Sequence, residues 1–214
     1  MQIKVDLHVH THYSSDSLIT PEDLVFYARK RGLDGVAITD HDQLDGALKI
    51  AKQTNFLIIP GIEISSLDGH IVGLNTREPI PKGLGADETV DKIHEAGGLA
   101  VACHPIALFK GSIGKHASSK FDAIEVINSA SFPFNYSVKK SQKIASRLGI
   151  PRVAGSDAHH GLEIGLAYTL VNAETQVDAI IEAISKGSCQ PFGKPIPLTQ
   201  RLKRHFLLLE RRIQ

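Results

Sequence analysis

Short apolar segments alternate with amphipathic segments along most of the chain, and this alternation restricts the fold more than any other sequence feature. Residues 35–39, 99–103 and 152–156 are typical of buried strands, whereas residues 45–53 place apolar side chains at helical spacing. Strands that alternate with helices in this way predict a mainly parallel sheet, open or closed into a barrel. A chain of 214 residues is long enough for one α/β domain with about seven such strands.

One part of the pattern is less regular. Residues 56–59 and 62–65 are both apolar, but Pro60-Gly61 interrupts them, and an Asp68-Gly69 turn predicts a hairpin with residues 70–74. The other predicted elements are strands 2–8, 123–127 and 167–171 and helices 21–31, 87–96, 138–148 and 175–186.

Composition excludes several classes of protein. The net charge of +1 provides no overall attraction to nucleic acid or anionic lipid. Two cysteines without a CxxC motif do not predict a disulfide scaffold, and no signal peptide is recognisable, so we expect a cytoplasmic protein. No apolar segment is long enough to span a bilayer, and no membrane partner is expected.

The end of the chain differs from the rest. We expect the barrel to occupy residues 1–190, and residues 191–214 to form a Pro-containing connector followed by a basic amphipathic helix. One interpretation is that the apolar stripe of this helix packs against the barrel or a partner. The other is that its basic residues contact RNA or a membrane surface. The stripe consists of Leu202, Phe206, Leu209 and Ile213.

Residue types that bind metal ions lie at or just after the ends of the predicted strands. Because the carboxyl ends of the strands in a parallel barrel open on one face, these side chains should converge there. They are Asp6, His8 and His10 at the first strand, Asp40 and His41 after the second, Glu63 in the third, His70 at the start of the hairpin strand, His104 after strand 99–103, and Asp157 and His159 after strand 152–156.

The spacing of these residues indicates the kind of site. His8 and His10 are two positions apart and therefore share a face of an extended strand, while Val9 points the other way. Imidazole and carboxylate donors together favour Zn²⁺, Mn²⁺ or Fe²⁺. More donors are present than one tetrahedral ion requires, so we expect two or three divalent ions with Glu63 as a bridging carboxylate.

Taken together and in order, these segments resemble the successive motifs of the PHP (polymerase and histidinol phosphatase) family. The motifs span residues 6 to 159, and as a set they are far more specific than an HxH pair alone. They are DLHVHT (6–11), TDHD (39–42), PGIEIS (60–65), His70, CHP (103–105) and GSDAH (155–159).

The resemblance implies a distorted, TIM-like (β/α)7 barrel with a trinuclear metal site that hydrolyses phosphoesters by means of metal-activated water. It also implies how the ligands divide among the ions. Of the two neighbours Ser15 and Asp16, we choose Asp16 because serine supplies no charge. The expected sets are His8, His10, Glu63 and Asp157 for one ion, Asp16, His41 and His159 for a second, and Glu63, His70 and His104 for a third.

The same resemblance guides the expected substrate, a phosphorylated small molecule or a short oligonucleotide. SDSLITPE (15–22) and PGIEIS look most like the nucleotide and oligonucleotide branch of the family. Lys110 and Lys115, in a loop after His104, are candidates for holding a phosphate. The alternatives are a histidinol-phosphate phosphatase, or a non-catalytic RNA-binding subunit resembling the barrel protein of ribonuclease P.

Other roles are expected for several residues at or near the site. Asp6 either accepts a hydrogen bond from a ligand imidazole or caps the strand end. His41, Glu63 and His159 are the candidate catalytic residues, with the two histidines able to assist proton transfer. Cys103 is expected to be a packed thiol in the interior and not a nucleophile.

Overall fold

The computed structural model describes residues 1–108 and 111–213, and only the backbone of residues 212 and 213. Nine strands and six helices follow one another within these residues. The strands are β1 (Gln2–Val9), β2 (Gly35–Ile38), β3 (Leu57–Ser66), β4 (Gly69–Leu74), β5 (Leu99–Ala102), β6 (Ala123–Asn128), β7 (Arg152–Gly155), β8 (Ala167–Asn172) and β9 (Cys189–Gly193). The helices are α1 (Pro21–Lys30), α2 (Asp45–Gln53), α3 (Ala86–Glu95), α4 (Phe134–Leu148), α5 (Val177–Ser185) and α6 (Leu198–Ile213).

All nine strands belong to one sheet in the order β7-β6-β5-β4-β3-β2-β1-β8-β9. The predicted α/β barrel-like fold is confirmed, and seven of the nine strands run in the same direction, although the sheet is not parallel throughout. Four neighbouring pairs are parallel, and four are antiparallel because β4 and β8 run against the other seven strands. The hairpin signal had indicated the first of these reversals.

Closure of the sheet occurs at the carboxyl ends of β1 and β7. The backbone N–H of Asp157 donates to the carbonyl of His8 at 2.8 Å, and that of His10 donates to the carbonyl of Ala158 at 3.0 Å. These two bonds hold the residues after β7 beside the end of β1. The sheet therefore curls into a nearly closed barrel at the end where the predicted metal ligands lie.

A register shift in β1 brings His8 and His10 to the side of the strand on which Ile3, Val5 and Leu7 also lie. Ile3, Val5 and Leu7 pack in the apolar cluster shared by the barrel strands and α5, whereas Val9 packs with residues of α1 and α2. The β1–β2 register shifts between Asp6 and Val9. Strict alternation would have left His8 opposite Leu7, and the irregularity instead lets His8 join His10 inside the end of the barrel.

The Pro60-Gly61 interruption does not divide β3. A Cβ at position 61 would lie only 2.8 Å from the carbonyl oxygen of Gly73. Glycine is therefore required inside this strand because another backbone approaches closely, which is one of the few reasons for a glycine in a strand interior.

The predicted starts of α1, α2 and α3 agree with the structure to within one residue, but that of α4 does not. Thr20 caps α1 by accepting the N–H of Asp23 at 3.2 Å. α4 begins at Phe134, earlier than the predicted residue 138, and the preceding Pro133 offers no side-chain cap.

The end of the chain is joined closely to the barrel. β9 extends the sheet past residue 190, and Ile196 packs with Ala130 and Leu166 in a small apolar cluster. The predicted C-terminal helix is present as α6. Within the described part of the chain, no helix combines the length and apolar character needed to cross a bilayer.

Candidate metal centre

All nine predicted ligands lie together at one end of the barrel. Glu63 is at the middle of the group: its two carboxylate oxygens face imidazole nitrogens of five histidines, at distances from 2.9 to 3.6 Å. A cavity of about 460 Å³ opens onto this group. The five histidines are His8, His10, His41, His70 and His104.

The donor atoms of the first predicted set form a cage in which five distances between donors are close to those that one ion requires. His8 Nε2 and His10 Nε2 are 3.2 Å apart. Glu63 Oε2 lies 3.6 and 3.3 Å from them, and Asp157 Oδ1 lies 3.8 and 3.4 Å from them. Four donors arranged tetrahedrally at about 2.1 Å from an ion are about 3.4 Å from one another. The residues of the first predicted set therefore fit a divalent ion.

The ring orientation of His8 is fixed by a residue that the sequence reasoning missed. Glu125 of β6 is buried, and its Oε1 accepts from His8 Nδ1 at 3.0 Å. Its other oxygen accepts the backbone N–H of His104 at 2.7 Å and the amide of Asn128 at 2.9 Å. A proton held on Nδ1 leaves the Nε2 lone pair directed at the cage, as in most histidines that bind metals.

His10 is oriented by a second missed residue. Ser14 Oγ donates to Asp40 at 2.7 Å and lies 3.4 Å from His10 Nδ1, so the hydroxyl oxygen is free to accept from that nitrogen. The same oxygen accepts the backbone N–H of His41 at 3.1 Å. Asp40 also accepts the N–H and hydroxyl of Thr11, each at 2.7 Å. Asp40 thus acts on the site through the loop that follows β1.

The second predicted set is also assembled. Asp16 Oδ2 lies 3.2 Å from His159 Nε2 and 3.5 Å from His41 Nε2. His159 Nδ1 is 3.0 Å from the carbonyl oxygen of Asp157, which can only accept, so the Nε2 lone pair faces Asp16. Among the described residues, Asp16 Oδ1 is buried without a hydrogen-bond partner. Ser15 is exposed, and the structure therefore favours Asp16 at the one position that was uncertain.

The third predicted set surrounds the other oxygen of Glu63. His104 Nε2 lies 2.9 Å and His70 Nδ1 3.0 Å from Glu63 Oε1. Cys103 Sγ is 3.5 Å from the same oxygen. Burial and the neighbouring carboxylates raise the pKa of this thiol well above its ordinary value, so it stays protonated and is not a nucleophile.

Charge at the centre is balanced by protons when no ion is bound. Burial opposes the charged form of His8, but Glu125, Asp157 and Glu63 together raise its pKa well above the ordinary value. Burial likewise opposes ionisation of Glu63, yet the surrounding histidines hold its pKa well below the ordinary range. Binding of a cation must therefore displace protons from the imidazoles, which is typical of metal sites.

The two histidines of the second set differ in charge. Burial opposes protonation of His41, but Asp16 and Glu63 raise its pKa to about 10. Burial and the nearby charge of His10 instead lower the pKa of His159 to about 4. At neutral pH one imidazole is protonated and the other is neutral.

Asp6 has a different role from the ligand-orienting one that we considered. Its Oδ1 accepts backbone N–H groups of His8 at 3.3 Å and Ser156 at 2.8 Å, and its Oδ2 accepts that of Gly165 at 2.8 Å. Asp6 contacts peptide groups and no imidazole nitrogen among these bonds. It therefore joins the ends of β1 and β7 to the segment before β8, whereas Glu125 orients the ring.

Of the two predicted phosphate-binding lysines, only Lys115 belongs to the described residues. Lys110 lies outside the described residues. Lys115 is exposed in a short 3-10 helix, Gly114–His116, and does not line the cavity. His160, which follows the candidate ligand His159, caps the short 3-10 helix Gly161–Glu163 by accepting the N–H of Leu162.

Helix α6 reaches the cavity, which the sequence did not indicate. Arg204 and Leu208 line it together with the candidate ligands. Arg204 Nη1 lies 2.8 Å from Oε2 of the fully buried Glu163, and the same oxygen accepts the backbone N–H of His159 at 2.9 Å.

Two candidate ligands have an unusual backbone. Asp157 has φ of 54° and His104 has φ of 28°. Positive φ is uncommon for residues with a Cβ and is concentrated at functional sites.

Comparison with known proteins supports the motif pattern. A family model described as PHP-associated matches residues 135–189. The uncharacterized protein MJ1587 of Methanocaldococcus jannaschii is 38% identical over 140 residues, which cover 59% of this chain and 82% of that protein. A 5′-3′ exoribonuclease of Haemophilus influenzae is 39% identical over 89 residues, covering 38% of this chain and 32% of that protein.

The fold is also similar to a solved structure. A two-domain protein from Bacteroides vulgatus that contains a predicted PHP-like metal-dependent phosphoesterase superposes with a TM-score of 0.74 at 18% identity, covering 96% of this chain and 69% of that one. The barrel, the ordered motifs and these relatives lead to one assignment: the chain belongs to the PHP family.

Proposed function

We propose that this protein hydrolyses phosphate esters with two or three divalent metal ions, and that its substrate is a nucleotide or a short oligonucleotide. The observation that carries the proposal is the cage of His8, His10, Glu63 and Asp157, because its donor spacing matches one tetrahedral ion. The other two predicted sets adjoin this cage and share Glu63 or neighbour it.

The residues of the site would bind and position the metal ions as the motifs imply. When bound, divalent ions supply positive charge to phosphoryl oxygens and lower the pKa of water, which is the chemistry that such hydrolysis needs. Glu63 would be shared between ions, because both of its oxygens face imidazoles. Glu125 holds His8 in the correct tautomer. Zn²⁺, Mn²⁺ and Fe²⁺ all suit this donor set.

Proton transfer would fall to the second set. His41 is 30% exposed beside the cavity, whereas the His159 side chain is 10% exposed. In the metal-free protein the raised pKa keeps His41 protonated at neutral pH, and His41 would donate a proton to a leaving alkoxide only if it is not bound to an ion. His159 is neutral and has an Nε2 lone pair, so it can accept a proton or bind metal but cannot donate from Nε2.

The proposed substrate class is supported by the similarity of this chain to a nuclease and by the size of the cavity. The Haemophilus influenzae relative is named a 5′-3′ exoribonuclease, and the matched segments favour the nucleotide branch. The cavity has room for more than a phosphoryl group. Histidinol phosphate is the competing small substrate, and a non-catalytic RNA-binding role is the competing function of another class.

The test compares two adjacent histidines. Purified protein would first be analysed for bound metals and then assayed with a nucleoside 3′,5′-bisphosphate, a 5′-phosphorylated oligonucleotide, histidinol phosphate and an aryl phosphate. We expect His159→Ala to abolish most activity and the matched control His160→Ala to retain it.

Three outcomes would count against the proposal. Absence of any metal uptake, or equal activity of the two variants, would contradict the metal-dependent hydrolase. Preference for histidinol phosphate would contradict only the substrate class. RNA binding without turnover of any ester would favour the non-catalytic alternative.

A further inference from the structure

Helix α6 exposes three large apolar side chains to solvent. Leu202, Phe206 and Leu209 are 50%, 62% and 42% exposed. Of the two packing surfaces expected for this stripe, the barrel or a partner, the barrel does not cover these three residues. Three arginines of α6, Arg201, Arg204 and Arg211, instead contact the barrel.

Two of these arginines hold the helix by bonds to backbone carbonyls. Arg201 donates to the carbonyls of Ser129 and Ala130 at 3.1 and 3.0 Å, and Arg211 donates to that of Ser17 at 2.9 Å. These contacts are enough to explain why α6 lies on this face. They do not require an arginine at position 204, which lies between them.

Arg204 points into the cavity of the candidate metal centre. Among the described residues that line the cavity, it is the only lysine or arginine. Its guanidinium is 2.8 Å from Glu163 through Nη1, and an arginine carries five N–H donors in a rigid fork. Glu163 also accepts the backbone N–H of His159. The Glu163 carboxylate therefore connects the Arg204 guanidinium to a candidate metal ligand.

We propose that Arg204 is a substrate-binding residue that grips the phosphate group of the ester, and that Glu163 aims its guanidinium. The inference rests on the proposed phosphoesterase function and specifies one contact of that site. The remaining donors match the planar fork that binds phosphate oxygens in pairs. An ester phosphate is anionic, and Arg204 is the one side chain of permanent positive charge among the described residues that line the cavity.

A merely structural role predicts a different pattern of mutants. If Arg204 only pairs with Glu163 to seat α6, then loss of either partner breaks the same contact and should have the same effect. If Arg204 binds phosphate, Arg204→Gln removes the binding group, whereas Glu163→Gln leaves the cation in place. Glu163→Gln can still accept the N–H of His159 through its amide oxygen.

The experiment measures binding of inorganic phosphate to the metal-loaded, full-length protein by titration calorimetry. The variants are Arg204→Gln, Arg204→Lys and Glu163→Gln, with the exposed neighbour Lys203→Gln as the control for loss of one positive charge on α6. Metal content and thermal unfolding of each variant show whether the centre and the fold are intact. None of these readouts depends on turnover.

We expect Arg204→Gln to weaken phosphate binding by about tenfold or more, the size of one or two charge-assisted hydrogen bonds. Arg204→Lys should lie between that variant and the wild type, because it keeps the charge but not the fork. Glu163→Gln and Lys203→Gln should stay within about threefold of the wild type. If Arg204→Gln does not fold, the Arg204→Lys result decides.

Two results would overturn the proposal. One is phosphate affinity of the Arg204 variants equal to the wild type. The other is an equal loss in Arg204→Gln and Glu163→Gln. If the wild type binds phosphate through Arg204 but hydrolyses no ester, the proposed function fails while this contact stands.

Discussion

Glu125→Gln perturbs the candidate centre without touching a predicted ligand. Three hydrogen-bond donors face the Glu125 carboxylate: His8 Nδ1 at 3.0 Å, the His104 backbone N–H at 2.7 Å and the Asn128 amide at 2.9 Å. Glutamine has the same shape but only one acceptor oxygen. Its NH2 group must therefore oppose at least one of the three donors.

The number of hydrogen bonds that remain decides which orientation the new side-chain amide adopts. An amide oxygen facing His104 and Asn128 keeps two bonds, whereas an oxygen facing His8 keeps one. We therefore expect the NH2 group to face His8 Nδ1, which must then accept. The ring proton moves to Nε2, the atom that lies 3.2 Å from His10 Nε2 in the cage, and the lone pair for the metal is lost.

The expected magnitude follows from these changes. Loss of one charge-assisted bond should lower the free energy of unfolding by ~1.5–3 kcal/mol. Loss of the orienting partner should weaken divalent-metal binding by about 10- to 100-fold. Competition with a chelator measures the affinity for Mn²⁺ or Zn²⁺, and urea unfolding measures the stability. The control is Glu88→Gln, an exposed glutamate of α3.

Metal affinity of Glu125→Gln equal to that of the control, in a variant that is destabilised as expected, would refute the tautomer argument. It would mean that the ring of His8 is oriented by the cage itself. Weakened binding with unchanged stability would instead show that the bond to Glu125 has no net stabilising effect.

Three further predictions concern other parts of the site. Glu63→Gln should retain fewer divalent ions and less activity than His160→Ala, because a neutral amide cannot offset the repulsion between the two cations that Glu63 is expected to bridge. Equal metal content by elemental analysis would contradict this. Gly155→Ala should lower the free energy of unfolding by ~1–3 kcal/mol and weaken metal binding, because the new Cβ would lie 2.3 Å from that of His8; urea unfolding and metal titration would show no change if the loop simply shifts. Burial raises the pKa of Asp6 to about 6, so the folded state binds this proton more tightly than the unfolded chain. The stabilisation is complete below the unfolded pKa of ~3.9 and is lost as the pH rises through about 6, by up to ~3 kcal/mol in total. Between pH 4 and 7, without added metal, the unfolding free energy of the wild type should therefore decrease relative to that of Asp6→Asn. A difference between the two proteins that does not change with pH would contradict this.

The position of the site could be predicted because strand ends are a local property. Apolar strands followed by histidine or carboxylate are visible in the sequence, and a barrel brings such ends together whatever the detail of its pairing. This is why the reversal of β4 does no harm to the prediction: His70 begins an antiparallel strand, and the start of such a strand lies beside the end of its neighbour β3.

Residues that act across long sequence separations were not predictable in the same way. Glu125 gave a partial signal, a carboxylate within the apolar strand AIEVIN, since a buried charge must be paired. Arg204 gave none. Helical periodicity shows which residues of α6 share a face, but not which face meets the barrel. β9 was missed because Cys189–Gly193 contains a proline and a glycine and shows no alternation, as an edge strand can.

The positive φ angles of Asp157 and His104 have a consequence for how sequences like this one change over time. Each such conformation costs on the order of 1–3 kcal/mol that glycine at the same position would largely avoid. A copy of the gene released from selection for activity, but still selected to stay folded, would gain stability by replacing these two residues first. Glycine at position 104 or 157 in an otherwise intact barrel would therefore mark a lineage that has given up the chemistry while keeping the fold.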